Sequence, residues 1–157
     1  MNPMTEMPHK EVPPPLELVK SRIEELLPPD AQERISSGAV VIDVRNADRF
    51  EKGHVEGAVN VSSGESAREA RDSAFAEAVE EAAGGRDAQL VIFCGEGNRS
   101  ARTADALRNE HGFENAASVI GGLKLWSELG LPVEGEILVG ADDAELGEGM
   151  GADGDTT

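Results

Sequence analysis

The sequence predicts a three-layer α/β domain, with a central, mostly parallel sheet covered by helices on both faces. Three observations lead there. The apolar runs Ala39-Val40-Val41-Ile42, Leu90-Val91-Ile92-Phe93 and Ala116 to Ile120 have the length and β-branched content of strands buried on both sides. Between them lie stretches with apolar residues at helical spacing, most of them closed by glycine or proline. Strands that alternate with helices build parallel sheets, because a parallel neighbour is reached only through a crossover.

Taken in order, residues 1 to 15 hold five prolines and little apolar periodicity, and read as a flexible leader. Leu16, Val19, Ile23, Leu26 and Leu27 fall on one face of a helix that Pro28-Pro29 would stop. A second short helix is expected from Asp30 as N-cap through Ile35, ending at Gly38. The strand at Val40 leads into Asp43-Val44-Arg45, then a loop-rich segment, then a short strand over Ala58 to Val61. Ala67, Ala70, Ala74, Phe75, Ala78, Val79 and Ala82 trace the clearest helical stripe, closed by Gly84-Gly85. After the strand at Leu90, Ala101, Ala104 and Leu107 share a helical face that ends near Gly112. Gly121-Gly122 turns into a last helix carrying Leu123, Trp126 and Leu129, which Gly130 and Pro132 terminate. From Glu134 onward eight acidic residues occur with no basic one, so residues 137 to 157 read as a solvated, disordered tail behind a domain spanning 16 to 136.

Composition removes several classes of function. With 31 acidic against 14 basic residues and a net charge of −17, the chain lacks the basic surface that nucleic acid or an anionic membrane requires. Four phenylalanines, one tryptophan and no tyrosine leave little for stacking on bases. A single cysteine forbids an internal disulfide and fits a reducing compartment, so a cytoplasmic location is expected. The N-terminal residues show neither a signal-peptide core nor a membrane span.

That cysteine, Cys94, is the most informative residue. It ends the Leu90 strand and precedes Gly95-Glu96-Gly97-Asn98-Arg99-Ser100, where a helix is expected to begin. An isolated cysteine is most simply read as a small buried residue. Two glycines, an asparagine and an arginine close behind it have no use in that reading. Unpaired N–H groups at a strand-to-helix turn form an anion cradle and favour a thiolate over a thiol.

Asp43-Val44-Arg45, Gly53-His54-Val55-Glu56-Gly57-Ala58-Val59-Asn60, the Cys94 to Ser100 loop, and Gly121-Gly122 with Trp126 and Gly130-Leu131-Pro132-Val133 occur in the order and spacing of one family. In these motifs the chain resembles single-domain rhodanese-like proteins over about residues 30 to 136. The resemblance implies a rhodanese-like fold with Cys94 as the catalytic nucleophile, accepting a sulfane sulfur as a persulfide. Gly95, Glu96, Gly97, Asn98, Arg99 and Ser100 match the loop that would surround that persulfide. A donor such as thiosulfate, a persulfide or a polysulfide would supply the sulfur, and cyanide, a small thiol or a protein thiol would accept it. The six residues from Cys94 to Arg99 match the shorter loop of sulfurtransferases; related phosphatases and arsenate reductases carry one residue more, and usually a histidine where Phe93 stands. The rival from another class is a module that carries sulfur for, or docks onto, one partner without turnover.

No cofactor and no metal are expected, since His54 has no cysteine or carboxylate at ligand spacing. Asp43 and Arg45 read as structural support, partners that lock neighbouring loops through charge-assisted hydrogen bonds. Trp126 reads as core, and Gly121-Gly122 as a tight turn. Glu96 is discordant, because a carboxylate beside an incoming dianion repels it.

Overall fold

The computed structural model describes residues 14–63 and 72–137. The expected leader before Pro14, the tail beyond Ile137, and the Ala67 and Ala70 positions of the long stripe lie outside the described residues. In chain order the elements are α1 (Leu16–Ser21), β1 (Glu24–Leu26), α2 (Pro28–Ser36), β2 (Val40–Asp43), α3 (Ala47–Lys52), β3 (Gly53–Val55) and β4 (Val59–Asn60). They continue with α4 (Ser73–Ala83), β5 (Leu90–Phe93), α5 (Asn98–Glu110), β6 (Ala116–Val119), α6 (Gly122–Glu128) and β7 (Val133–Gly135).

Five strands form one parallel sheet in the order β1-β6-β5-β2-β4. β5 is central and buried along its whole length, as its unbroken apolar run requires. Side chains alternate between faces with period two. Leu90, Ile92 and Cys94 therefore point to one side, into a core with Ile42, Val44, Phe75 and Val79 of α4, and Ala104 and Leu107 of α5. Val91 and Phe93 point to the other, against Val119, Ala31 of α2, and Leu123 and Trp126 of α6. Trp126 meets Phe93 edge-on at 5.1 Å and donates its Nε1–H to Pro132 O. The chain leaves β2 toward β4 and leaves β5 toward β6, so β2 and β5 flank the point where strand order reverses, the usual site of a ligand crevice at their carboxyl ends.

The expected Leu16–Leu27 helix is corrected. It stops at Ser21, and Glu24–Leu26 becomes an edge strand paired to β6, with Ile120 N–H donating to Leu26 O at 2.8 Å. Long-range pairing overrides the helical spacing, and ion pairs of Glu24 with Arg34 and Glu25 with Lys20 let a charged strand sit at the edge. Pro28-Pro29 begin the next helix rather than stop the previous one, and the N-cap is Leu27, not Asp30. Proline fits the first helical turn because its missing N–H would have no partner there. The segment expected to be loop-rich holds α3 and β3, and β3 pairs antiparallel with β7 in a separate two-stranded ribbon. α3 buries no residue, so it leaves no apolar stripe to be read.

Candidate functional site

At the carboxyl end of β5 the chain turns sharply into α5. Gly97 takes φ +100° as the N-cap, and a Cβ there would stand 3.0 Å from Gly121 N, so both the backbone angle and the close approach require glycine. This turn aims main-chain donors at the sulfur. The N–H groups of Gly97 and Ser100 each donate to Cys94 Sγ at 3.1 Å, and the Cys94 thiol donates to Ser100 Oγ at 3.3 Å, while that hydroxyl donates to Gly97 O. Cys94 is 1% exposed, and Gly95, Gly97 and Ser100 are buried with it.

A second set of contacts holds the loop's carbonyls. Leu123 N–H donates to Cys94 O and Lys124 N–H to Gly95 O, both at 2.9 Å. These donors belong to the first turn of α6, whose amides have no partner inside their own helix. Gly122, at φ +57°, lies so close that a Cβ would come within 2.6 Å of Cys94 O. Across a trans peptide the N–H opposes the C=O, so the Gly95 and Glu96 amides point away from α6. Gly121-Gly122 is thus part of the site and not only a tight turn.

The loop residues do not all converge on the sulfur. Glu96 is exposed at the tip, and Asn98 and Arg99 are half-buried. Asp43 and Arg45 are both fully buried: the Arg45 main-chain N–H, Nε and Nη2 donate to the Asp43 carboxylate at 2.9–3.2 Å, and Nη2 also donates to Gly53 O at 2.6 Å. Asn60 Nδ2 bonds the carbonyls of Asp43 and Arg45, so this cluster joins β2 to β3 and β4. His54 stacks on Phe50 at 3.9 Å and donates its Nδ1–H to Phe50 O.

Sequence reasoning passed over Ser118. Its Oγ lies 2.8 Å from Ser100 Oγ, beneath the loop. The available signal was a hydroxyl inside the otherwise apolar strand Ala116–Val119, where a buried polar group needs a partner.

The model of the rhodanese-like domain matches residues 27–129, about two thirds of the chain. The chain belongs to the rhodanese-like domain family. Among curated relatives, it is 32% identical over 106 residues to the thiosulfate sulfurtransferase GlpE of Ectopseudomonas mendocina, covering 68% of this chain and 86% of that one. It is 32% identical over 111 residues to GlpE of Actinobacillus succinogenes, covering 70% and 89%. Among solved structures, a Rhodopseudomonas palustris protein described as a possible tyrosine phosphatase is 26% identical, with TM-score 0.61 over 76% of this chain and 90% of that one. The polysulfide-sulfur transferase homodimer of Wolinella succinogenes shares the fold at 23% identity, with TM-score 0.61 over 77% and 85%. In this rhodanese-like chain, as in parallel α/β sheets generally, the cysteine loop lies beyond the carboxyl ends of the central strands.

Proposed function

We propose that this rhodanese-like chain is a sulfurtransferase that moves a sulfane sulfur from a donor to a thiophilic acceptor through a persulfide on Cys94. The observation that carries the reading is the convergence of the Gly97 and Ser100 N–H groups on Cys94 Sγ. Burial alone disfavours an ionised thiol. Hydrogen bonds to a charged group are worth about 1.5–3 kcal/mol each, so these two main-chain bonds together are of the size of the several kcal/mol by which desolvation opposes a charge. The loop thereby sustains a thiolate in a site that excludes water.

The reaction then needs no general base. Cys94 thiolate attacks the outer sulfur of the donor; the donor's sulfur–sulfur bond breaks and its electron pair leaves with sulfite, a thiolate or a shortened polysulfide. The negative charge now rests on the terminal sulfur of the Cys94 persulfide, held by the loop's amides. Cyanide or an acceptor thiolate attacks that terminal sulfur, the inner bond breaks, and Cys94 thiolate returns. The GlpE relatives support this reading by name. With one cysteine in the chain, the acceptor comes from outside, as a small thiol or a protein thiol. Among the described residues no helix is long and apolar enough to cross a membrane, and with the lone thiol this supports placement in the cytoplasm.

Intact-mass spectrometry after exposure to thiosulfate or polysulfide tests the proposal. One added sulfur on the wild type, discharged by cyanide and absent from Cys94→Ser, is expected. No added sulfur with any donor, together with hydrolysis of an aryl phosphate, would replace it with the phosphatase reading. Sulfur loading without discharge to cyanide or small thiols would leave a carrier module.

A further inference from the structure

Ser118 is 0% exposed in β6, opposite Ile92 of β5, and its hydroxyl faces the same side of the sheet as Cys94. Ser100, also 0% exposed, stands between them: its Oγ is 2.8 Å from Ser118 Oγ, 3.3 Å from Cys94 Sγ and 3.3 Å from Gly97 O. A hydroxyl offers one proton and two lone pairs. Ser100 thus has one proton for two acceptors, the sulfur and the Gly97 carbonyl.

We propose that Ser118 is a positioning residue for the sulfur-transfer reaction, donating its proton to Ser100 Oγ so that Ser100 directs its own proton to the ionised sulfur. The inference rests on the sulfur-transfer reading for its purpose, and on the three distances for its content. With Sγ ionised, the chain of donors runs Ser118 to Ser100 to sulfur. With Sγ protonated, the thiol donates to Ser100 Oγ, and Ser100 turns its proton to Gly97 O or Ser118 Oγ. Both hydroxyls stay satisfied in either state, and the arrangement that ends on a charge is the stronger. No bond to carbon or sulfur changes; only hydroxyl rotation follows the charge.

The charged side chains on the elements packed around Cys94 are Glu96 and Arg99 of its loop, the Asp43–Arg45 pair at the end of β2, Arg102, Asp105, Arg108 and Glu110 on α5, Lys124 and Glu128 on α6, and the carboxylates Glu77, Glu80 and Glu81 on α4. Ser118→Ala and Ser100→Ala leave all of them in place.

The test is the rate of Cys94 alkylation by iodoacetamide against pH, at fixed ionic strength, in wild type, Ser118→Ala, Ser100→Ala and the double variant. Ser118→Ala is expected to lower the reactive fraction at neutral pH by roughly three- to tenfold, the worth of one hydrogen bond, and to move the profile to higher pH. In the Ser100→Ala background the same substitution is expected to move nothing, because Ser118 acts through Ser100. An unchanged profile in Ser118→Ala overturns the inference, as does a shift of equal size in both backgrounds. A change in urea midpoint without a change in profile assigns Ser118 to packing alone and also overturns it. The readout needs no sulfur donor, so a chain that forms no persulfide but shows the coupled shift would refute the function and keep this relay.

Discussion

The main-chain N–H of Leu123 donates to the carbonyl oxygen of Cys94 at 2.9 Å, joining the first turn of α6 to the cysteine loop. The nucleophile's own peptide group is therefore oriented by a helix that is distant in sequence.

Gly122→Ala is expected to abolish most sulfur transfer while the sheet persists. The new Cβ would meet Cys94 O at 2.6 Å and Gly95 O at 2.7 Å, and backbone cannot yield there as a flexible side chain would. A side chain at positive φ adds about 1–3 kcal/mol of strain. Thiocyanate formation should fall at least tenfold with the far-ultraviolet circular dichroism retained; full activity would show that α6 does not set the loop.

Breaking the Asp43–Arg45 pair on one side should cost more than removing both partners. Arg45 is fully buried, with three groups on the Asp43 carboxylate and Nη1 without a hydrogen-bond partner among the described residues. Asp43→Ala leaves an uncompensated buried charge, worth about 3–5 kcal/mol, a large share of the stability of an ordinary domain. In urea titrations the double variant Asp43→Leu/Arg45→Met should lie above Asp43→Ala in midpoint, with similar slopes.

Glu24 makes part of the stability depend on acid. The Arg34 hydrogen bond holds its carboxyl below the ordinary value of 4.5, aided by the charges of Arg34 and Arg108 and opposed by desolvation. A depressed carboxyl contributes stability above its unfolded value and loses it as pH falls through the folded one. The pair is partly exposed, so the contribution stays under about 1 kcal/mol. The gap in urea midpoint between wild type and Glu24→Gln should be present at neutral pH and close well below 4.5.

Glu96 should set donor preference weakly, because it is exposed at the loop tip, where water and salt screen it. Thiosulfate is expected to be a poorer donor than polysulfide. Glu96→Lys should raise kcat/KM for thiosulfate a few-fold at low ionic strength, with the gain fading in high salt. A donor ratio untouched by the substitution would remove Glu96 from specificity.

The central strands were legible because burial on both faces forces continuous apolar runs, and Leu90–Phe93 and Val40–Asp43 fall where those runs predict. Cys94 and its loop were legible for a related reason: glycines beside a lone cysteine mark backbone that must approach closely. β1 was not legible. Ile23, Leu26 and Leu27 keep a helical spacing, and only the exposed hydrogen-bonding edge of β6, some ninety residues on, makes Glu24–Leu26 extended.

Local chemistry written in the chain thus determined the α/β class, the family motifs and the candidate nucleophile, since each depends on residues adjacent in sequence. Tertiary structure alone decided what surrounds the sulfur. Ser118 reaches Ser100, and Leu123 and Lys124 reach the carbonyls of Cys94 and Gly95, because parallel pairing of β5 with β6 brings their carboxyl ends side by side. Hydrogen bonds act over about 3 Å, and no spacing along the chain records which distant groups the fold will bring within that reach.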